Sequence, residues 1–146
     1  MNAINKQSFQ MKNLLRLEEL AQLLICVVAL IINDVPWWVY PILLLGPDIG
    51  MLGYLVNSRF GAVTYNALHH KGIAILMSGI GVVLGIMSIH GPEFRDTDTV
   101  VYIAAIILYG HSSMDRIFGY GLKFGDNFHH THLGWIGKMK GKDGAE

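Results

Sequence analysis

The chain has 146 residues, enough for one domain, and 52% of them are hydrophobic whereas only 15% are charged. Soluble domains carry about 25% charged residues, so this chain has too few charges to cover a globule in water. The formal net charge is zero, which argues against a nucleic-acid partner, and the single cysteine excludes an intrachain disulfide. The composition favours an integral membrane protein with the lipid bilayer as its partner.

Four long apolar stretches follow a polar segment, residues 1–12, that is predicted to be loose. Each stretch is long enough to cross the roughly 30 Å hydrocarbon core as a helix. None shows the alternation over about ten residues that a membrane β-barrel requires. The predicted fold is therefore all-α and polytopic, a compact bundle of four transmembrane helices over 14–33, 36–56, 60–89 and 99–120.

The predicted spans are separated or interrupted by residues that disfavour helices. Asn33-Asp34 ends the first span, and Gly46-Pro47-Asp48 interrupts the second. The third stretch has thirty residues, roughly 45 Å of helix, and must tilt, kink or start outside the hydrocarbon core. Residues 90–96 are predicted to be a loop, and Thr97-Asp98 to cap the fourth helix.

Basic residues concentrate in the connections on one side of this arrangement, while the other connections are mainly acidic. An excess of Lys and Arg marks the cytoplasmic side of a membrane. We therefore predict a multi-pass protein of the cell (inner, cytoplasmic) membrane with both termini in the cytoplasm. The transmembrane domain is predicted over 13–122 and a cytoplasmic tail over 123–146. The basic residues that set this orientation are Lys6, Lys12, Arg16, Arg59, Lys123, Lys138, Lys140 and Lys142.

Several polar side chains fall inside the predicted spans. A charged group at the bilayer centre costs roughly 2.5–3.5 kcal/mol, so such groups usually have partners or functions. Asp48, His69, His111 and Asp115 lie roughly 9–15 Å in from the cytoplasmic ends of their predicted helices. His111 and Asp115 are four residues apart and share a helix face. We therefore expect these four side chains to converge in one cavity in the cytoplasmic half of the bundle.

Carboxylates and imidazoles that project inward from several helices build metal sites in helical bundles, and these donors suit Zn, Fe or Mn. Tyr65 and Asn66 are the nearest candidates in sequence to orient the histidines from a second shell. His132, in a histidine-rich tract, is an additional candidate ligand. The same polar layer is also compatible with a non-catalytic network that holds the helices together or binds a partner. A proton or ion pathway is a third, less favoured alternative.

Five short phrases resemble an uncharacterised family of small bacterial four-helix membrane proteins, a domain of unknown function. The resemblance covers roughly residues 13–137 and implies four helices and a membrane location, without an established activity. The phrases are Leu15-Arg16-Leu17-Glu18, Pro47-Asp48-x-x-Met51-x-Gly53-Tyr54, Tyr65-Asn66-x-x-His69, His111-x-x-x-Asp115-Arg116-x-x-Gly119-Tyr120-Gly121-Leu122-Lys123 and Thr131-His132-Leu133-Gly134.

A looser likeness to membrane-bound metal-dependent hydrolases implies specific roles. It makes the four converging residues metal ligands and Glu18 a catalytic base. Arg116 and Lys123 would then bind an anionic headgroup or phosphate of the substrate. Whether the chain is an enzyme, which substrate it takes and its oligomeric state stay open at the level of sequence.

Overall fold

The computed structural model describes residues 3–89 and 95–137, and this part of the chain is mostly helical, as the predicted all-α class requires. It also contains two short strands, close to the carboxyl end, that pair as an antiparallel ladder. In chain order the elements are α1 (Ala3–Ile32), α2 (Val39–Leu45), a 3₁₀ helix (Pro47–Leu55), α3 (Ser58–His69), α4 (Lys71–Ser88), α5 (Arg95–Phe118), β1 (His130–Thr131) and β2 (Gly134–Trp135).

Helix α1 is longer than predicted, because it begins at Ala3 inside the segment expected to be loose. No proline or glycine interrupts residues 3–12, so the helix has no local reason to stop there. It ends where the sequence indicates. Asp34 adopts a positive φ of 49°, a left-handed conformation that Asp tolerates and that does not continue a right-handed helix.

The second apolar stretch divides at Gly46-Pro47 into α2 and the 3₁₀ helix. The 3₁₀ helix then packs antiparallel against α3, and we call this pair the hairpin. Its halves approach closely because glycines face the partner. A Cβ on Gly50 would lie 2.8 Å from the Thr64 carbonyl oxygen, and one on Gly61 would lie 2.3 Å from the Tyr54 ring.

The third stretch is two helices rather than one tilted span. His70 has an extended backbone, with φ −88° and ψ 108°, and it separates α3 from α4. The two helices then have different partners, since α3 belongs to the hairpin and α4 packs along α5. Close packing of α4 depends on Gly81, where a Cβ would lie 3.2 Å from Tyr102.

Helix α5 begins at Arg95, four residues before the predicted start of the fourth span, and contacts each of the helices α1 to α4. Of the loop predicted at 90–96, residues 90–94 lie outside the described residues, as do the basic residues beyond 137. Residues 95–96 belong to α5, so Thr97-Asp98 lies inside the helix and the predicted cap is wrong. A small apolar core fills the space between α1, α2 and α5. Its buried members are Cys26, Leu30, Val39, Leu43 and Ile106.

Residues after α5 fold back on the hairpin. Asn66 bonds to both main-chain groups of Lys123, accepting from its N–H at 2.7 Å and donating to its carbonyl at 2.8 Å. The Phe128 ring meets Tyr54 edge to face, with centroids 5.1 Å apart. The predicted tail is therefore part of the folded unit at least as far as this aromatic contact.

One helix in the described residues, Lys71–Ser88, is long and apolar enough to cross a membrane. The other predicted spans are charged at their ends or broken: α1 carries Arg16, Glu18 and Glu19, α5 carries Asp115 and Arg116, and the second stretch is divided. Yet the described surface is strongly apolar. Thirty-seven large hydrophobic side chains are exposed, whereas nine hydrophobic residues are buried.

Candidate metal centre

Asp48, His69, His111 and Asp115 meet in one group. Each offers a ligand atom, and these atoms all lie within 4.8 Å of one another. The two histidines are 3% and 0% exposed, Asp115 is 14% exposed, and Asp48 is 35% exposed. The four side chains therefore converge, as their depth along the helices led us to expect. Asp48 is the most accessible of the four.

The elements bring these residues together for local reasons. Asp48 stands in the first turn of the 3₁₀ helix, directly after Pro47, and His69 is the last residue of α3. His111 and Asp115 occupy successive turns on one face of α5, as their spacing requires. Two ligand atoms thus come from the hairpin and two from α5.

Main-chain carbonyls orient both imidazole rings. His69 Nδ1 lies 2.8 Å from the Tyr65 carbonyl oxygen, and His111 Nδ1 lies 2.9 Å from the Leu43 carbonyl oxygen. A carbonyl only accepts, so each Nδ1 carries the hydrogen and donates it. Each neutral ring then presents an unprotonated Nε2, and these two nitrogens face each other at 3.0 Å. Two lone pairs at that distance repel unless a cation or a shared proton lies between them.

The Leu43 carbonyl is free to accept because of Pro47. In a continuing helix this carbonyl would accept from the amide four residues later, and that residue is a proline without an N–H. The sequence analysis did not identify this contact. A Leu-x-x-x-Pro spacing beside a predicted polar layer is the signal that would have indicated it.

Several separations between the donor atoms are close to those around a four-coordinate ion. The full set spans up to 4.8 Å, and the two histidines lie near different oxygens of Asp115, Oδ2 for His69 and Oδ1 for His111. For metal–ligand bonds of about 2.0–2.1 Å, neighbouring ligands of a tetrahedron are roughly 3.3–3.4 Å apart. His69 Nε2 lies 3.5 Å from Asp48 and 3.4 Å from Asp115. His111 Nε2 lies 3.5 Å from Asp48 and 3.8 Å from Asp115. Two imidazoles and two carboxylates at these separations could hold a divalent cation.

Tyr65 supports the group in two ways. Its hydroxyl donates a hydrogen bond to Asp115 Oδ2 at 2.6 Å, and its ring stacks on His69 with centroids 3.7 Å apart. Asn66 does not take the predicted role of orienting a histidine, because its amide is committed to the main chain of Lys123. Main-chain carbonyls orient the rings in its place.

Lys123 lies on the other face of Tyr65. Its side chain is 4% exposed, and its ammonium has no hydrogen-bond partner among the described residues. The ammonium lies over aromatic rings instead, 4.3 Å from the centroid of Phe128 and 5.1 Å from that of Tyr65. Burial lowers the pKa of Lys123, against the opposing attraction of the Asp115 and Asp48 carboxylates.

Arg116 and Glu18, which the sequence analysis placed at the site, are not part of the group. Arg116 Nη1 lies 3.5 Å from Glu19 Oε1, and Lys71 binds the other oxygen of the same carboxylate. Glu18 is exposed and accepts a hydrogen bond from Gln22 at 3.3 Å. Neighbouring positions on a helix point about 100° apart, so Glu19 faces inward where Glu18 does not.

His132 is also outside the group. Its Nδ1 accepts a hydrogen bond from the Leu122 N–H at 2.8 Å. In the same tract His130 pairs with Asp126 at 2.7 Å and stacks on Trp135. These two histidines therefore have structural contacts within the folded tail, and His132 as a ligand remains a prediction.

These features define a helical protein with a buried His/Asp group that could hold a metal. The chain belongs to the family described as a domain of unknown function, DUF4260, whose model matches residues 12–136. That match confirms the expectation of an uncharacterised family. No curated protein and no solved structure matches the chain.

Proposed function

We propose that this protein is a multi-pass membrane protein that binds one divalent metal ion through Asp48, His69, His111 and Asp115, and that it acts as a metal-dependent hydrolase. One observation carries the metal assignment. Both histidines are held by main-chain carbonyls so that their Nε2 atoms face each other at 3.0 Å, and each Nε2 lies within 3.8 Å of oxygens of both Asp48 and Asp115. Zn, Fe and Mn suit such a donor set.

The membrane assignment is supported by the surface. Soluble monomers rarely expose large contiguous apolar areas, and here exposed large hydrophobic side chains outnumber buried hydrophobic residues by 37 to 9 among the described residues. Helix α4 is long enough to cross the bilayer alone. The proposed topology keeps four crossings with both termini in the cytoplasm, the second crossing formed by α2 and the 3₁₀ helix together.

Hydrolysis is the chemistry proposed for this site. A bound divalent ion of this kind acidifies water or polarises a substrate oxygen. The protein contributes an accessible side at Asp48, a tyrosine that fixes Asp115, and the Lys123 ammonium, which both carboxylates attract. Because that ammonium has no hydrogen-bond partner among the described residues, it suits an anionic group on the substrate.

A non-catalytic polar network is the second candidate. The Tyr65–Asp115 hydrogen bond and the Nε2–Nε2 contact, with one ring protonated, would join α3 to α5 without any ion. In that case the polar layer only fixes helix packing.

Metal content separates the two candidates. We expect protein purified in detergent, with zinc, iron and manganese supplied during growth, to contain close to one metal ion per chain. His111→Ala and Asp115→Ala should lose that metal, whereas His130→Ala, which changes a histidine of the tail, should keep it. A parent protein that stays metal-free under these conditions supports the network. Chelator-sensitive hydrolysis of a panel of esters and phosphoesters tests the enzymatic part.

A further inference from the structure

A basic pocket lies between the amino-terminal part of α1 and the end of α5, distinct from the His/Asp group. It has a volume of about 480 Å³ and is lined by Lys12, Arg16, Glu19, Arg116 and His132, with three further residues. Its wall thus holds three basic side chains, Lys12, Arg16 and Arg116, and one carboxylate, Glu19. That carboxylate is already engaged by Arg116 and by Lys71.

Lys12 and Arg16 have no acidic partner within salt-bridge distance among the described residues, and both are exposed. His132 adds an uncharged hydrogen-bond donor. Its Nδ1 accepts from a main-chain N–H, so its hydrogen is on Nε2. Desolvation at the pocket wall, and then the nearby Arg116 guanidinium, lower the pKa of His132. The pocket therefore presents positive charge and a hydrogen-bond donor, which is the chemistry that recognises a phosphate.

A second, mainly apolar groove lies further along α1. It has a volume of about 310 Å³, and its lining includes Gln22, Cys26 and Ala29 from α1, Ser78 from α4 and Ile106 from α5. Between the two spaces, the Lys71 ammonium bonds both to Glu19 of the pocket and to Gln22 of the groove.

The spacing along α1 places the pocket and the groove on one face of the helix, and we call the two together the track. Residues 12, 16, 19, 22, 26 and 29 recur every three or four positions, so they share one face of the helix. From 12 to 29 the helix rises roughly 25 Å. One bilayer leaflet with its headgroup layer is about 20–22 Å thick. A basic pocket and an apolar groove that together extend over this length match the dimensions of a single lipid molecule.

We infer that this track binds an anionic phospholipid, with the headgroup phosphate in the basic pocket and an acyl chain in the groove. The inference rests on the membrane placement proposed above and is independent of the metal centre. Basic pockets between helices on the cytoplasmic side are known sites for anionic headgroups.

The headgroup half is tested with detergent-solubilised full-length protein, titrated separately with short-chain phosphatidylglycerol, short-chain phosphatidylcholine and inorganic phosphate. We expect phosphatidylglycerol to bind most tightly. Arg16→Gln should weaken phosphatidylglycerol binding about fivefold, since each basic residue near an anionic lipid contributes about that factor. The double variant Lys12→Gln/Arg16→Gln should weaken it roughly thirtyfold. Arg59→Gln removes a basic residue outside the pocket and should bind like the parent.

The groove half needs a chain-length comparison. Ser78→Phe should weaken binding of a longer-chain phosphatidylglycerol and leave phosphate binding unchanged. Gly79→Phe, at a position with open space around it, should leave both lipid and phosphate binding unchanged. Equal binding of the two lipids, phosphate binding as tightly as the lipid, or an unaffected Arg16→Gln variant overturns the inference. Metal content measured on the same variants should be unchanged, which separates this test from that of the metal centre.

Discussion

Pro47 influences the candidate metal centre through the hydrogen-bond donor that it lacks. Since residue 47 cannot donate to the Leu43 carbonyl, that oxygen accepts from His111 and fixes the ring. In Pro47→Ala the new amide would compete for the same oxygen. We expect metal affinity to fall about 10–100-fold, the usual effect of losing a group that orients a ligand, with helix content kept. Chelator competition measures this, and Pro41→Ala, a proline in α2, serves as control. An unchanged affinity would show that the carbonyl does not orient His111.

Tyr65 permits a test that separates hydrogen bonding from packing. Tyr65→Phe removes the donor to Asp115 and keeps the ring that stacks on His69. We expect metal affinity to fall about 10–100-fold at nearly unchanged thermal stability. Tyr54→Phe is the matched control, because the buried Tyr54 hydroxyl has no hydrogen-bond partner among the described residues. Equal affinities in the two variants would place the Tyr65 hydroxyl outside the metal centre.

Lys123 makes stability depend on pH in a predictable direction. Its pKa is lowered in the folded protein, so between that value and 10.5 the unfolded chain binds more protons and stability rises with pH. Lys123→Met has no such titration. We expect the variant to exceed the parent in Tm near neutral pH, and the difference to shrink as pH approaches 10.5. Thermal unfolding in detergent between pH 7 and 10.5 measures it. A difference that grows with pH would contradict the buried, unpaired ammonium.

At the scale of elements, the hairpin positions half of the candidate metal centre, and its glycines set its geometry. A Cβ on Gly50 would lie 2.8 Å from the Thr64 carbonyl oxygen, which cannot move aside without displacing the backbone of α3. We expect Gly50→Ala to cost about 1–3 kcal/mol of stability and to weaken metal binding, because Asp48 and His69 lie on the two halves. Gly79→Ala, with nothing within 4 Å, should instead be neutral or stabilising by up to about 1 kcal/mol. Equal Tm values for the two variants would mean that the hairpin is packed loosely.

The sequence indicated some of these elements better than others. Polar residues inside apolar stretches identified Asp48, His69, His111 and Asp115, since their depth along a helix follows from counting residues. Which face each side chain takes was harder to predict. Glu18 and Glu19 are adjacent in sequence, and it is Glu19 that contacts Arg116 and Lys71 inside the bundle. The break at His70 has no proline at the junction and depends on two helices choosing different partners, which is tertiary information.

For the whole molecule the decisive prediction is topology. Exposed apolar side chains on every helix and basic residues on alternate connections support four crossings. Reporter fusions after Asp34, Arg59, Arg95 and Lys142 should report outside, inside, outside and inside. A fusion after Arg59 that reports outside would show that α2 and the 3₁₀ helix re-enter without crossing. That outcome would overturn the four-span arrangement and leave the His/Asp geometry intact.

The division of the ligands between the hairpin and α5 has a consequence for biosynthesis. His111 is made 42 residues after His69. At about 5–20 residues per second, the hairpin waits roughly 2–8 s for the helix that completes its polar group. During that interval Asp48 and His69 face each other without their α5 partners, so burying them in lipid is costly. In the membrane placement proposed above, a nascent chain must therefore keep the hairpin hydrated until α5 is made, and we expect chains truncated before α5 to be preferred substrates of membrane quality-control proteases.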